Sequence, residues 1–166
     1  LEIIAPDPAQ SLVDNFGSRL ANLKSSGLVA FAMNCADLDT LKSNLSKFKT
    51  SEVRETRRTT TSGEVLVWKL LFIGGLEGAP FFIDWLECVH PAKTSPQGCA
   101  LLELVIEGPA KKNTTSLQSL MNQNGVPQLV RFSDASDDKR IRLHASIESP
   151  NGRVWLDPIA ESIALF

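Results

Sequence analysis

The sequence contains no tyrosine, only two histidines and two methionines, and three cysteines among 166 residues. Imidazole is the commonest metal ligand and the side chain best suited to proton transfer near neutral pH. Only His90 and His144 can supply it. Cys35, Cys88 and Cys99 are odd in number and unrelated in spacing, so they imply neither a disulfide framework nor a zinc knuckle. They read as free thiols of a reducing compartment, so the cytoplasm or an organelle matrix is the expected location. A net charge of -2, with no basic run longer than the Arg57-Arg58 pair, leaves no footprint for nucleic acid. No apolar run nears the ~18 residues that a membrane-spanning helix needs. Glu2, Pro6 and Pro8 at the start do not read as a signal peptide. Serine-histidine-aspartate spacing, a phosphate-binding glycine loop and a Cys-His zinc pattern are also missing.

What is present is the composition of an ordinary globular protein, 43% hydrophobic and 22% charged. Leu28 to Met33 reads as a short apolar strand. Asp37 or Asp39 can cap a helix whose stripe is Leu38, Leu41, Leu45 and Phe48. Strands are expected near Val53 to Thr59, from Val65 to Ile73 after a Ser62-Gly63 turn, and from Phe81 to Trp85 after the glycine-rich Gly74 to Gly78.

The same order then returns. Ala100 to Ile106 reads as a strand, and Thr114 or Thr115 as the cap of a helix with Leu117, Leu120 and Met121 on one side. Asn124-Gly125 stops that helix, and Leu129 to Phe132 follows as a strand. After an Asp137-Asp138-Lys139 turn, Ile141, Leu143, Ala145 and Ile147 alternate with period two. Pro150-Asn151-Gly152 turns the chain into Val154 to Leu156. The expected fold class is therefore α+β, built of two paired βαβββ modules. Each has one apolar sheet face that it cannot bury alone. Joining them predicts a curved, barrel-like mixed sheet with helices outside and a small-molecule cavity inside. Residues 1–26 read as the last strand of an earlier module plus a linking helix within Ser11 to Ser25. Residues 27–97 and 98–166 form the two modules of one domain. Because the chain begins at Leu1 in what reads as mid-strand, a longer parent is expected.

The densest chemical information lies in Pro80 to Leu101, PFFIDWLECVHPAKTSPQGCAL. An apolar strand ends in Asp84-Trp85, and Pro91 and Pro96 forbid continuation as helix or central strand. Asp84, Trp85 and His90 are thus gathered at a strand exit, where a scaffold commonly presents working side chains. This run resembles the PFFIDW…HP…GC signature of glyoxalase-like domains in the vicinal-oxygen-chelate superfamily. LEIIAPDP at the start looks like that family's YLEIIAPDP run.

The resemblance implies paired βαβββ modules around a substrate cavity. Where active, such a domain is a lyase, isomerase or dioxygenase that uses a divalent metal held by a first-strand histidine and a closing-strand carboxylate. The closing strands here do carry acids, at Glu2, Asp84 and Asp157. The matching first-strand positions, near Ala30 and Leu102, carry no histidine. No cofactor is therefore expected for these residues, and a divalent metal belongs at most to a longer parent.

His90 is the candidate catalytic residue, as a base or hydrogen-bond donor, against a corner residue bonded to backbone. Arg58 fits the family's arginine by spacing and would clamp a carboxylate, against a solvated surface arginine. Trp68 and Trp85 are candidate ligand walls or core. Asp84 is a candidate ligand-binding acid, and His144 reads as a surface histidine. Three functions stay open: a glyoxalase-like enzyme, a metal-free protein that binds or sequesters a small ligand, and a non-catalytic homodimer subunit.

Overall fold

The computed structural model describes residues 2–6, 9, 11, 13, 16–60, 62–109, 113–125, 128–134 and 140–160. After a short helix α1 (Phe16–Leu20), the chain forms β1 (Ala32–Asn34), α2 (Leu38–Asn44), β2 (Lys49–Thr50), β3 (Arg54–Thr59), β4 (Val65–Leu71), β5 (Ile73–Gly74) and β6 (Phe81–Asp84). A second unit follows: β7 (Ala100–Gly108), α3 (Asn113–Gln123), β8 (Val130–Asp134), β9 (Arg142–Ser149) and β10 (Gly152–Leu156). The class is α+β, with mixed sheets and few helices.

Helix α2 starts where Asp37 accepts a hydrogen bond from Thr40 N–H at 2.9 Å. That bond holds the Asp37 carboxyl below its ordinary pKa. The predicted stripe does its work: Leu38, Leu41 and Leu45 pack on Leu71, Ile73 and Phe82 in one buried cluster. In β4 and β6, Leu71 and Phe82 lie opposite one another on this helix-covered side. Leu66 and Trp68, one position out of phase, lie on the other side.

Apart from the short antiparallel pair β2–β5 in the first unit, the two units share their element order but not their sheet order. In the first, the strands run β1-β6-β4-β3, with β6 parallel to β1. In the second they run β10-β9-β7-β8. There α3 is the crossover between parallel neighbours β7 and β8, and β9 occupies the other side of β7. The tight turn at 150–152 then leaves β10 on the outer edge. The expected pair of equivalent modules is corrected accordingly. Among the described residues, no sheet closes or curls on itself.

Other boundaries move as well. Residues 2–6 form no strand, and Ile3 is 88% exposed, so the expected leading strand has no neighbour to hydrogen-bond. β1 begins later than Leu28 because Leu28 is drawn into a parallel bridge with Pro158. Leu28 N–H donates to Asp157 O at 2.8 Å, and Ile159 N–H donates to Leu28 O at 3.3 Å. α3 begins at Asn113, so Thr114 and Thr115 lie in its first turn instead of capping it. Leu1, Leu12, Thr61 and the expected 137–139 turn fall outside the described residues.

The units are locked together by side chains from both. Leu120 of α3 is fully buried in the first unit's cluster, while Leu117, one turn earlier, packs with Ile106, Ile141 and Leu143. Leu76 and Ala79, in the connection before β6, touch both clusters. Ile141 lies against the bare Cα atoms of Gly78 and Gly108, where an added Cβ would meet its side chain.

Candidate functional site

The β6 exit is organised by hydrogen bonds. Asp84 Oδ1 accepts from Leu86 N–H at 2.8 Å and holds Leu86 at φ +52°, a left-handed conformation that a leucine rarely adopts. The chain thereby leaves the sheet, so Val67 N–H on β4 loses a strand partner. The Cys88 thiol replaces it, with Sγ 3.1 Å from that nitrogen. His90 Nδ1 accepts from Ala92 N–H at 3.0 Å and caps the 3-10 turn Pro91–Lys93. With Nδ1 accepting in this way, a neutral ring would carry its proton on Nε2 and present a donor there.

Three of the five candidate residues meet there. The Trp68 and Trp85 rings lie 5.5 Å apart and tilted, and Trp85 meets the His90 ring edge-on at 5.1 Å. Trp85 Nε1 is buried without a hydrogen-bond partner among the described residues. Asp84 stands beside them as the turn's acceptor. Arg58 is exposed on β3 opposite Leu66, on the same sheet side as Trp68.

Replacing Asp84 with alanine removes the acceptor that steadies Leu86. The expected result is an altered tryptophan emission spectrum and a stability loss of about 1–3 kcal/mol. Unchanged emission and melting temperature would show that the turn holds without it.

A second region went unread in the sequence. The side of β7–β10 opposite α3 carries a cavity of about 310 Å³, lined by Leu102, Glu103, Gln128, Leu129, Arg131, Ser146 and Arg153. Ser146 lies opposite Glu103 on β7 and opposite Trp155 on β10. Arg131 Nε and Glu103 Oε1 form an ion pair at 2.7 Å. Farther along the same side, His144 Nε2 is 3.2 Å from Glu107 Oε2, and the histidine is half-buried where an open surface position was expected. One signal was legible: Arg142, His144, Ser146 and Glu148 alternate with the apolar set of β9. Which strands flank them was not. The cavity between the units, lined by Leu28, Gly78, Ile141 and Ile159 among others, holds about 70 Å³. That is far below the ~300 Å³ at which ligand pockets begin.

The family's metal does not fit these residues. Among the described residues, no three His, Cys, Asp or Glu side chains converge to hold an ion. Asp84 is already engaged by Leu86 N–H, and β1 and β7 carry no histidine.

The glyoxalase-like domain family matches residues 1–121, and the chain belongs to that family, within the vicinal-oxygen-chelate superfamily. No curated protein and no solved structure matches it. Among the described residues, no helix is long and apolar enough to cross a membrane.

Proposed function

We propose that this glyoxalase-like domain binds a small molecule in the cavity on β7–β10, through polar and apolar side chains and without a metal held by its own residues. The carrying observation is the cavity itself. It is an open groove whose volume of about 310 Å³ lies at the lower bound of small-ligand pockets, and it combines Leu102 and Leu129 with Arg131, Arg153, Ser146 and Gln128. Catalysis of the lyase, isomerase or dioxygenase type would need a Lewis acid or a free base. The cavity lining among the described residues holds no histidine, and its one carboxylate, Glu103, is paired with Arg131, so a binding or sequestering role is favoured over turnover.

A second reading rests on the partnerless Trp85 Nε1. It places a ligand over Trp68 and Trp85, with His90 and Arg58 as donors and Asp84 as an acceptor. Amide and indole NMR shifts recorded against a panel of small polar fragments separate the two. Shifts gathered on Glu103, Arg131, Ser146 and Arg153 are expected. Shifts confined to Trp68, Trp85 and His90 would move the site to the β6 exit, and no localised shifts would sink both readings.

A further inference from the structure

Four side chains form a row across the four strands of the second sheet, on the side away from α3: Arg153 on β10, Ser146 on β9, Glu103 on β7 and Arg131 on β8. Register puts Ser146 directly opposite Glu103, and Arg153 lies on the diagonal from Ser146, two residues from its partner Trp155. Diagonal neighbours on one side of an antiparallel pair stand about 7–8 Å apart, within reach of an arginine. Along the row, the functional groups read cation, hydroxyl, carboxylate, cation.

Two of the four satisfy each other. Glu103 and Arg131 form the 2.7 Å ion pair, which uses up the row's one acid and one of its cations. Two groups remain. Ser146 is 1% exposed, and its hydroxyl has no hydrogen-bond partner among the described residues. Leaving a buried hydroxyl unpaired is unfavourable, and native proteins seldom do so without a reason. Arg153 forms no ion pair among the described residues, although Glu148 lies opposite it in register. What remains for a ligand is therefore one exposed guanidinium without an ion-pair partner and one buried, unpaired hydroxyl, with Leu102 and Leu129 as apolar wall and the Gln128 amide at the rim.

A carboxylate complements that set. It accepts from a guanidinium in a fork and from a hydroxyl on its remaining lone pairs, while a short hydrocarbon body meets the leucines. A cationic amine would face Arg153, and a purely apolar molecule would leave Ser146 unpaired. We infer that the β7–β10 cavity selects small organic carboxylates, held by Arg153 and Ser146. Most of the lining, from Gln128 to Arg153, lies beyond the residues that match the family, so the selectivity belongs to this chain's own second unit. The inference rests on the cavity reading above and adds the ligand's charge.

The test compares butyrate with neutral butyramide and cationic butylamine by NMR titration of the whole chain at low salt, with the same titrations on R153Q, R153K and S146A. Butyrate is expected to shift the cavity residues and bind most tightly, with affinity falling as sodium chloride is added. R153Q should weaken butyrate by about tenfold or more, as loss of a charge-assisted bond does. R153K should recover part of that loss, and S146A should weaken binding severalfold. The amide spectrum of each variant reports whether it is folded, and exposed Arg153 tolerates exchange. If butyramide or butylamine shifts the cavity as strongly as butyrate, or if folded R153Q binds butyrate unchanged, the carboxylate assignment is overturned while the cavity reading stands. If no probe shifts the cavity residues, both are overturned.

Discussion

Leu120→Ala should destabilise the protein by about 2–5 kcal/mol, the range for emptying a buried leucine site in a core that cannot fully collapse. Leu120 is fully buried, and its neighbours in the cluster are Leu38, Leu41, Leu45, Leu71, Ile73 and Phe82, all from the first unit. The cavity would open between α3 and the α2 side of the first sheet, so the loss should not stay within the second unit. Denaturant unfolding measures the magnitude. Amide exchange shows the spread, with protection expected to fall along α2 and β6 as well as α3. A loss under 1 kcal/mol, or one confined to α3, would mean that this leucine does not join the units.

Gly78→Ala should cost about 2–4 kcal/mol, because two penalties act at one atom. Gly78 has φ +74°, which charges any L side chain about 1–2 kcal/mol. Its new Cβ would also sit 2.3 Å from Ile141 Cγ2 and 3.2 Å from Ile141 Cβ. The latter atom is branched and close to backbone, so the contact is relieved only by moving β9 or the connection itself. Gly125 supplies the control, since its φ is +68° and nothing lies within 4 Å of an added Cβ. Gly125→Ala should show the backbone penalty alone, about 1–2 kcal/mol. Equal losses at the two sites in thermal or urea unfolding would remove the packing part of the argument.

Local features were legible because they depend on neighbours in sequence. A cap at Asp37 or Asp39, the Leu38, Leu41 and Leu45 stripe, a strand from Phe81 that runs to Asp84 where Trp85 was expected, and the corner at His90-Pro91 all follow from residues a turn or two apart. The order of strands in the second unit did not follow. Alternation along β9 fixes which side is apolar but not whether β7 or β8 lies next to it, and the same βαβββ order fits both arrangements. The row from Arg153 to Arg131 was hidden for the same reason, since each strand contributes one member and only register aligns them. At the β6 exit the corner reading of His90, bonded to backbone, was one of the two that the sequence offered, and Ala92 N–H makes that bond. That Asp84 spends an acceptor on Leu86 N–H was not foreseen, since no spacing rule announces it.

The bridge between Leu28 and Pro158 bears on how the chain is made. A ribosome releases Gly27 and Leu28 long before it releases Asp157 to Ile159. The same lag separates the first core from Leu120. Until those later segments emerge, the nascent first unit has an incomplete core, and apolar surface left open in this way invites association with other chains. Gly27 sharpens the requirement, because an added Cβ would lie 2.6 Å from Ile159 N and obstruct that contact. This bridge therefore waits on residues 157–159, just past β10, and contacts so distant in sequence make for slow folding.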